Sequence, residues 1–112
     1  MEKLIKNISL REVLNLKDLV QYSEGTVQSR TLVQRPELGM TLFSFDQGEG
    51  ISTHSAPGDA LVYVYEGKAA IKIGEDENKI VQEGQIIVMP ANIPHALEAV
   101  EKFKMLLIVV KP

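Results

Sequence analysis

From Gly25 onward the chain is punctuated at short intervals. "TVQSRTLVQ" (26–34) is β-branched and partly alternating, the pattern of a strand. "RPELG" follows as a turn, because Pro36 presets φ and Gly39 allows positive φ. "MTLFSF" (40–45), "ALVYVYEG" (60–67) and "QIIVMP" (85–90) read as further strands, with "DQGEG" another turn. Residues 69–82 read as a hairpin, with strands over 69–73 and 79–82 and a turn over 74–78. "HALEAV" and "KMLLIVV" (104–110) finish the chain, the latter apolar on both faces. Turn signals at such spacing imply an all-β sandwich or barrel. Pro57, Pro90 and Pro94 fall in turns or at strand ends, where a missing N–H costs nothing. A mostly antiparallel, closed or rolled sheet solves the edge problem for so small a chain.

Composition narrows the function. The 112 residues fit one domain, with a core that needs no staples. A net charge of −3 argues against a nucleic-acid partner. The chain has no cysteine, which excludes disulfides, thiolate nucleophiles and cysteine-ligated metals. "MEKLIKNISL" is charged from its start and lacks the apolar run of a signal peptide. No apolar run approaches the roughly 20 residues of a membrane helix. The expectation is a soluble cytoplasmic protein without a membrane partner.

Residues 1–24 read as an N-terminal arm and 25–112 as the barrel core of one domain. The arm has two readings. Ser9 and Glu12 have capping-box spacing, and Leu10, Val13, Leu14, Leu16, Leu19 and Val20 recur at helical intervals. A short edge strand followed by one helical turn fits equally well.

The chain has two histidines. His54 lies in a Gly/Ser/Pro loop just before a strand, and His95 in the proline-rich corner "PANIPHA" just before another. Two strand-mouth histidines on a rolled sheet can converge on one cavity, and barrel mouths are where ligands sit. Imidazole suits Zn, Cu, Fe and Ni. Three roles stay open: hydrogen bonding to each other, backbone or water; a metal site; or general-base work near neutral pH. Tyr63 and Tyr65 alternate with Ala60, Val62 and Val64, so they face the opposite side of the sheet. The glycines are turn residues and form no phosphate loop, since no helix follows them.

These residues resemble the cupins, small jelly-roll barrels of the double-stranded β-helix type. The first cupin motif is a glycine, five residues, His-x-His, three or four residues, Glu, six residues and a final Gly. Gly48 is followed by five residues and His54, and counting back from Gly67 puts the glutamate position at Ala60 and the second histidine position at Ala56. The second motif is Gly, five residues, Pro-x-Gly, two residues, His, three residues and Asn. Gly84 begins it, Pro90 and His95 are in place, Asn92 stands for the glycine and Ala99 for the asparagine. Asn suits a positive-φ position.

The resemblance implies a metal site holding Fe, Mn, Ni, Cu or Zn on three histidines and one glutamate. Only His54 and His95 of that set remain. Asp59, adjacent to the lost glutamate, is the candidate third metal ligand. Strand parity points it outward, and it is equally a brace for its own loop. The resemblance also implies a homodimer. Three functions are open: a small-molecule or metal-binding barrel without strong catalysis; a metal-dependent oxygenase or isomerase of a small acid or sugar using His54 and His95; or a structural, partner-binding barrel with no open site.

Overall fold

The computed structural model describes residues 3–112. Nine strands follow one short 3-10 turn at Leu16–Asp18: β1 (Val27–Gln34), β2 (Leu38–Phe45), β3 (Gly50–His54), β4 (Asp59–Glu66), β5 (Lys68–Ile73), β6 (Lys79–Gln82), β7 (Gln85–Met89), β8 (His95–Ala99) and β9 (Phe103–Val110). They form a five-stranded sheet in the order β1-β2-β9-β4-β7 and a four-stranded sheet in the order β3-β8-β5-β6. All the pairings are antiparallel. The two sheets close over each other, as the turn spacing predicts for a sandwich or barrel, and form the jelly roll that the cupin resemblance implies.

One strand differs from the sequence reading. Residues 50–54 read as loop, yet they form β3, paired with β8 at the edge of the smaller sheet. β3 carries a single half-buried apolar residue, Ile51, so it has little of the alternation by which strands are read.

The core lies between the sheets. Ala60, Val62 and Val64 of β4, Ala69, Ile71 and Ile73 of β5, Leu97 and Ala99 of β8, and Phe103 and Met105 of β9 all point into it. Phe45 and Phe103 are fully buried and stack with ring centroids 4.4 Å apart and planes 4° from parallel. Such a pair adds about 1 kcal/mol beyond its buried area. Phe45 pairs with Phe103 at the start of β9, whereas Asp59 pairs with Val110 at its end. The aromatic plug therefore fills the end of the barrel remote from Asp59.

A second apolar cluster covers the outer face of the five-stranded sheet. Leu32, Val33, Leu42 and Tyr65 pack there against Val20, with Ile8, Leu16 and Leu19 alongside. Burying a residue such as Val20 stabilises the fold by about 2 kcal/mol. The segment before β1 is thus neither the amphipathic helix nor the edge strand that its pattern allows, and of the second reading only the single helical turn is present, at Leu16–Asp18. Asn7 and Arg11 adopt left-handed backbone, with φ of 61° and 68°, which interrupts any helix from Ser9 onward. The segment lies flat and is held by polar anchors. Lys6 N–H donates to the Leu32 carbonyl at 2.8 Å and Ser44 Oγ to the Gln21 carbonyl at 2.6 Å. The buried Lys104 donates to the Lys17 carbonyl at 2.6 Å, with its ammonium 4.8 Å from the centre of the Tyr22 ring. Tyr22 in turn donates to Glu66 at 2.7 Å. Burial, and then the Glu66 carboxylate, push the Tyr22 hydroxyl well above the ordinary phenol value, so it stays a donor.

Gly67, which closes β4, has φ 81°, and a Cβ there would collide with the Lys102 carbonyl oxygen and Phe103. Gly48 has φ 85° but open space around it. Gly67→Ala is expected to cost more than about 2 kcal/mol, and Gly48→Ala about 1 kcal/mol, in urea unfolding. Equal costs would show that backbone conformation alone, and not the close approach, selects glycine at 67.

Candidate functional site

The two histidines meet. His54 pairs with His95 across β3 and β8, with ring centroids 4.4 Å apart and planes at 72°. A bulge makes this possible. Ile51 opposes Leu97, and three residues later His54 opposes His95, only two residues away from Leu97 on β8. Without the extra residue, strand parity would put Ile51 and His54 on opposite faces. The bulge returns His54 to the inner side, the use such irregularities commonly have beside binding sites.

His95 is buried and His54 exposed, so the pair spans from the barrel interior to solvent. The Nδ1 atoms lie 3.0 Å from the Ser52 carbonyl oxygen in His54 and 3.1 Å from that of Ile93 in His95. A carbonyl only accepts, so each Nδ1 carries the proton and each neutral ring keeps its Nε2 lone pair. Neither Nε2 has a hydrogen-bond partner among the described residues.

The corner before His95 is pinned from three sides. Asp59 Oδ1 accepts from Ala91 N–H at 2.8 Å. The Ala56 carbonyl accepts from Asn92 N–H at 2.8 Å, and Gly74 N–H donates to the Pro94 carbonyl at 2.7 Å. Asn92 has φ 64°, the left-handed backbone that its place in the motif requires. Asp59 is the exposed first residue of β4, while its neighbour Ala60 is buried, as parity predicts. Its carboxylate braces the corner that carries His95. Of the three residues singled out as metal ligands, the structure brings His54 and His95 together, and Asp59 is engaged with the Ala91 backbone. Among the described residues, no group of three or more His, Cys, Asp or Glu is placed to hold a metal ion.

Sequence reasoning missed the backbone contribution of Ala56. Its side chain occupies a vacated ligand position, but its carbonyl ties the two motif segments together. No pattern of side chains could have revealed it.

A family model described as a cupin domain matches residues 41–111. Among solved structures, a protein of unknown function from Streptococcus pyogenes is 53% identical, with a TM-score of 0.95 over 99% of this chain and 96% of the other. A cupin superfamily protein from Desulfitobacterium hafniense is 30% identical, with a TM-score of 0.91 over 96% and 98%. A cupin 2 conserved barrel domain protein from Leptotrichia buccalis is 48% identical, with a TM-score of 0.83; the match covers 88% of this chain and 47% of that longer one. No curated protein sequence matches. Among the described residues, no helix is long and apolar enough to cross a membrane.

The site makes stability depend on pH. Burial lowers the His95 pKa below its ordinary 6.5; the Ile93 carbonyl opposes this and nearby His54 adds to it. The fold therefore prefers neutral His95. That contribution is fully present above the ordinary imidazole value and is lost as the pH falls through the lower folded value. Unfolding free energy is expected to fall as the pH drops below the ordinary imidazole value, with a shallower slope in His95→Gln. Parallel slopes for both chains would assign the acid sensitivity elsewhere.

Proposed function

This chain belongs to the cupin family, and from that premise we propose that it binds a small polar ligand at the mouth of its barrel, through His54 and His95, without strong catalysis. The observation that carries the reading is the pair of facing imidazoles whose Nδ1 atoms are both committed to backbone carbonyls. Both free nitrogens are then acceptors for a ligand hydroxyl or N–H, held in fixed directions before the ligand arrives. The aromatic plug of Phe45 and Phe103 closes the far end, while the small side chain of Ala60, next to Asp59, lies toward the other. The ligand is small and enters from the histidine end.

Cupins often bind metals, but the donor set here is sparse for that chemistry. Two imidazoles are present, Ala56 and Ala60 stand at ligand positions, and Asp59 is spent on the corner. This does not fit a resident catalytic centre, which ordinarily keeps three protein ligands. A divalent transition ion such as Fe, Mn, Ni, Cu or Zn would rest on the two Nε2 atoms alone. A metal-dependent oxygenase or isomerase of a small acid or sugar is accordingly the less supported reading. A barrel packed shut, serving only a partner, leaves the orientation of the two rings without a purpose. The reading includes a homodimer, supported by apolar side chains exposed along residues 10–14 and on β7, among them Val13, Ile86 and Val88.

A thermal-shift screen of small hydroxy acids, keto acids and sugars is expected to find a compound that raises the melting temperature by roughly 4 °C or more. His54→Ala, at an exposed position, should abolish that rise without unfolding the chain. A rise that survives in His54→Ala and in His95→Asn would move the site away from the mouth. Elemental analysis of tag-free protein is expected to show well under one equivalent of transition metal; a stoichiometric metal would favour the enzyme reading. Sedimentation equilibrium is expected to return twice the chain mass of 12.4 kDa, and a clean monomer removes the dimer.

A further inference from the structure

The two sheets end in four edge strands, β1 and β7 on the larger and β3 and β6 on the smaller. An edge strand presents unpaired backbone N–H and C=O groups, a template on which another strand can pair. Three of the edges are guarded. Along β1 the arm is already seated: Lys6 N–H donates to the Leu32 carbonyl at 2.8 Å and Asn7 Nδ2 to that of Thr31 at 2.7 Å. β3 carries the bulge that turns His54 inward. β6 is four residues long, begins at the exposed Lys79, and has its Gln82 N–H taken by the Gln85 side chain at 2.8 Å.

β7 has none of these guards. Its residues, QIIVM, include no charge and no proline. It pairs with β4 at all five positions with no shift in register. Among the described residues no strand lies beyond it. Ile86 is 62% exposed and Val88 48%, both on the outer face that Tyr63 shares. The apolar row runs on inward: Val88 lies opposite Leu61 and Leu61 opposite Ile108, and these two are only half-buried. A regular, uncharged, apolar edge left bare invites uncontrolled pairing, so a stable protein covers it.

We propose that β7 pairs antiparallel with β7 of a second copy, about a two-fold axis at Ile87, and joins the two five-stranded sheets into one continuous sheet. This rests on the homodimer of the reading above and names the strand that makes it. The occupant follows from β7 itself. In that register Gln85 faces Met89 of the second copy, Ile86 faces its Val88, and Ile87 faces its own counterpart. Each exposed apolar side chain therefore gains an apolar neighbour directly opposite, the pairing that stabilises sheets. The edge backbone groups of both copies are satisfied at once. A charged or proline-bearing strand would match neither the side chains nor the backbone. A register one residue away would set outward side chains against inward ones, which strand parity forbids.

The chain has no cysteine, so an introduced thiol has only its counterpart to pair with. Oxidised glutathione is expected to convert Ile87→Cys to a disulfide-linked dimer on a non-reducing gel, since directly opposed strand residues lie within bridging distance. Val88→Cys is the comparison. Its counterpart sits two residues along the facing strand, roughly 8 Å away, too far to bridge, so it should cross-link at least about fivefold less. The double substitution Ile86→Lys with Val88→Lys changes only exposed side chains, so the chain should fold, as circular dichroism would register. It sets ammonium groups opposite one another and should raise the dimer dissociation constant about 100-fold or more in sedimentation equilibrium. Gln28→Lys, on the opposite edge, should leave the dimer intact. A dimer that survives the lysine pair, or cross-linking no better from Ile87→Cys than from Val88→Cys, would overturn the β7 interface and leave the homodimer standing. A wild-type chain that sediments as a monomer would overturn both.

Discussion

The structure is organised around β9, a strand that is apolar on both faces and central in its sheet. Such a strand is stable only if both sides are covered. Its inner side, with Phe103 and Met105, is buried by the four-stranded sheet. Its outer side includes Lys104 and Leu106, and there the segment before β1 supplies the cover. β2 and β4 pair with it along nearly its whole length, so the register of β9 sets the height of every residue on both neighbours. The plug formed by Phe45 and Phe103 at one end, and Asp59 beside Val110 at the other, follow from that register.

The barrel mouth is built less by side chains than by backbone. His54 reaches the inner side because β3 gains one residue against β8. His95 is held because its corner is tied to Asp59, to the Ala56 carbonyl and to Gly74. The two rings are then oriented by the carbonyls of Ser52 and Ile93, each two residues before its histidine. Local backbone therefore settles the tautomer of both imidazoles, and the free nitrogens are left for whatever enters.

Most of the architecture was legible because glycine and proline act locally. Gly67 must be glycine for reasons of backbone conformation and close approach, and Asn92 stands in left-handed backbone where the motif spacing asks for it. The strands with alternating or wholly apolar patterns, β4 and β9 above all, were readable because their neighbours bury one face or both. β3 was not, because an edge strand with one apolar residue owes its existence to hydrogen bonds with β8 rather than to its own composition. The arm was not either. Its helical spacing is real, but Leu16, Leu19 and Val20 reach the sheet from an irregular chain, while Val13 stays in solvent.

The amino-acid sequence carried the all-β class, the turn positions, the family resemblance and the thinning of the ligand set to two histidines, since each depends on residue identity at a fixed spacing. It also carried the outward parity of Tyr63 and Tyr65, which strand geometry alone imposes. The meeting of His54 and His95 and the engagement of Asp59 with Ala91 were decided only in three dimensions. Each depends on a bulge or on a contact between segments far apart in the chain. A one-residue slip in register reverses which face a side chain serves, and only the assembled sheet selects the register.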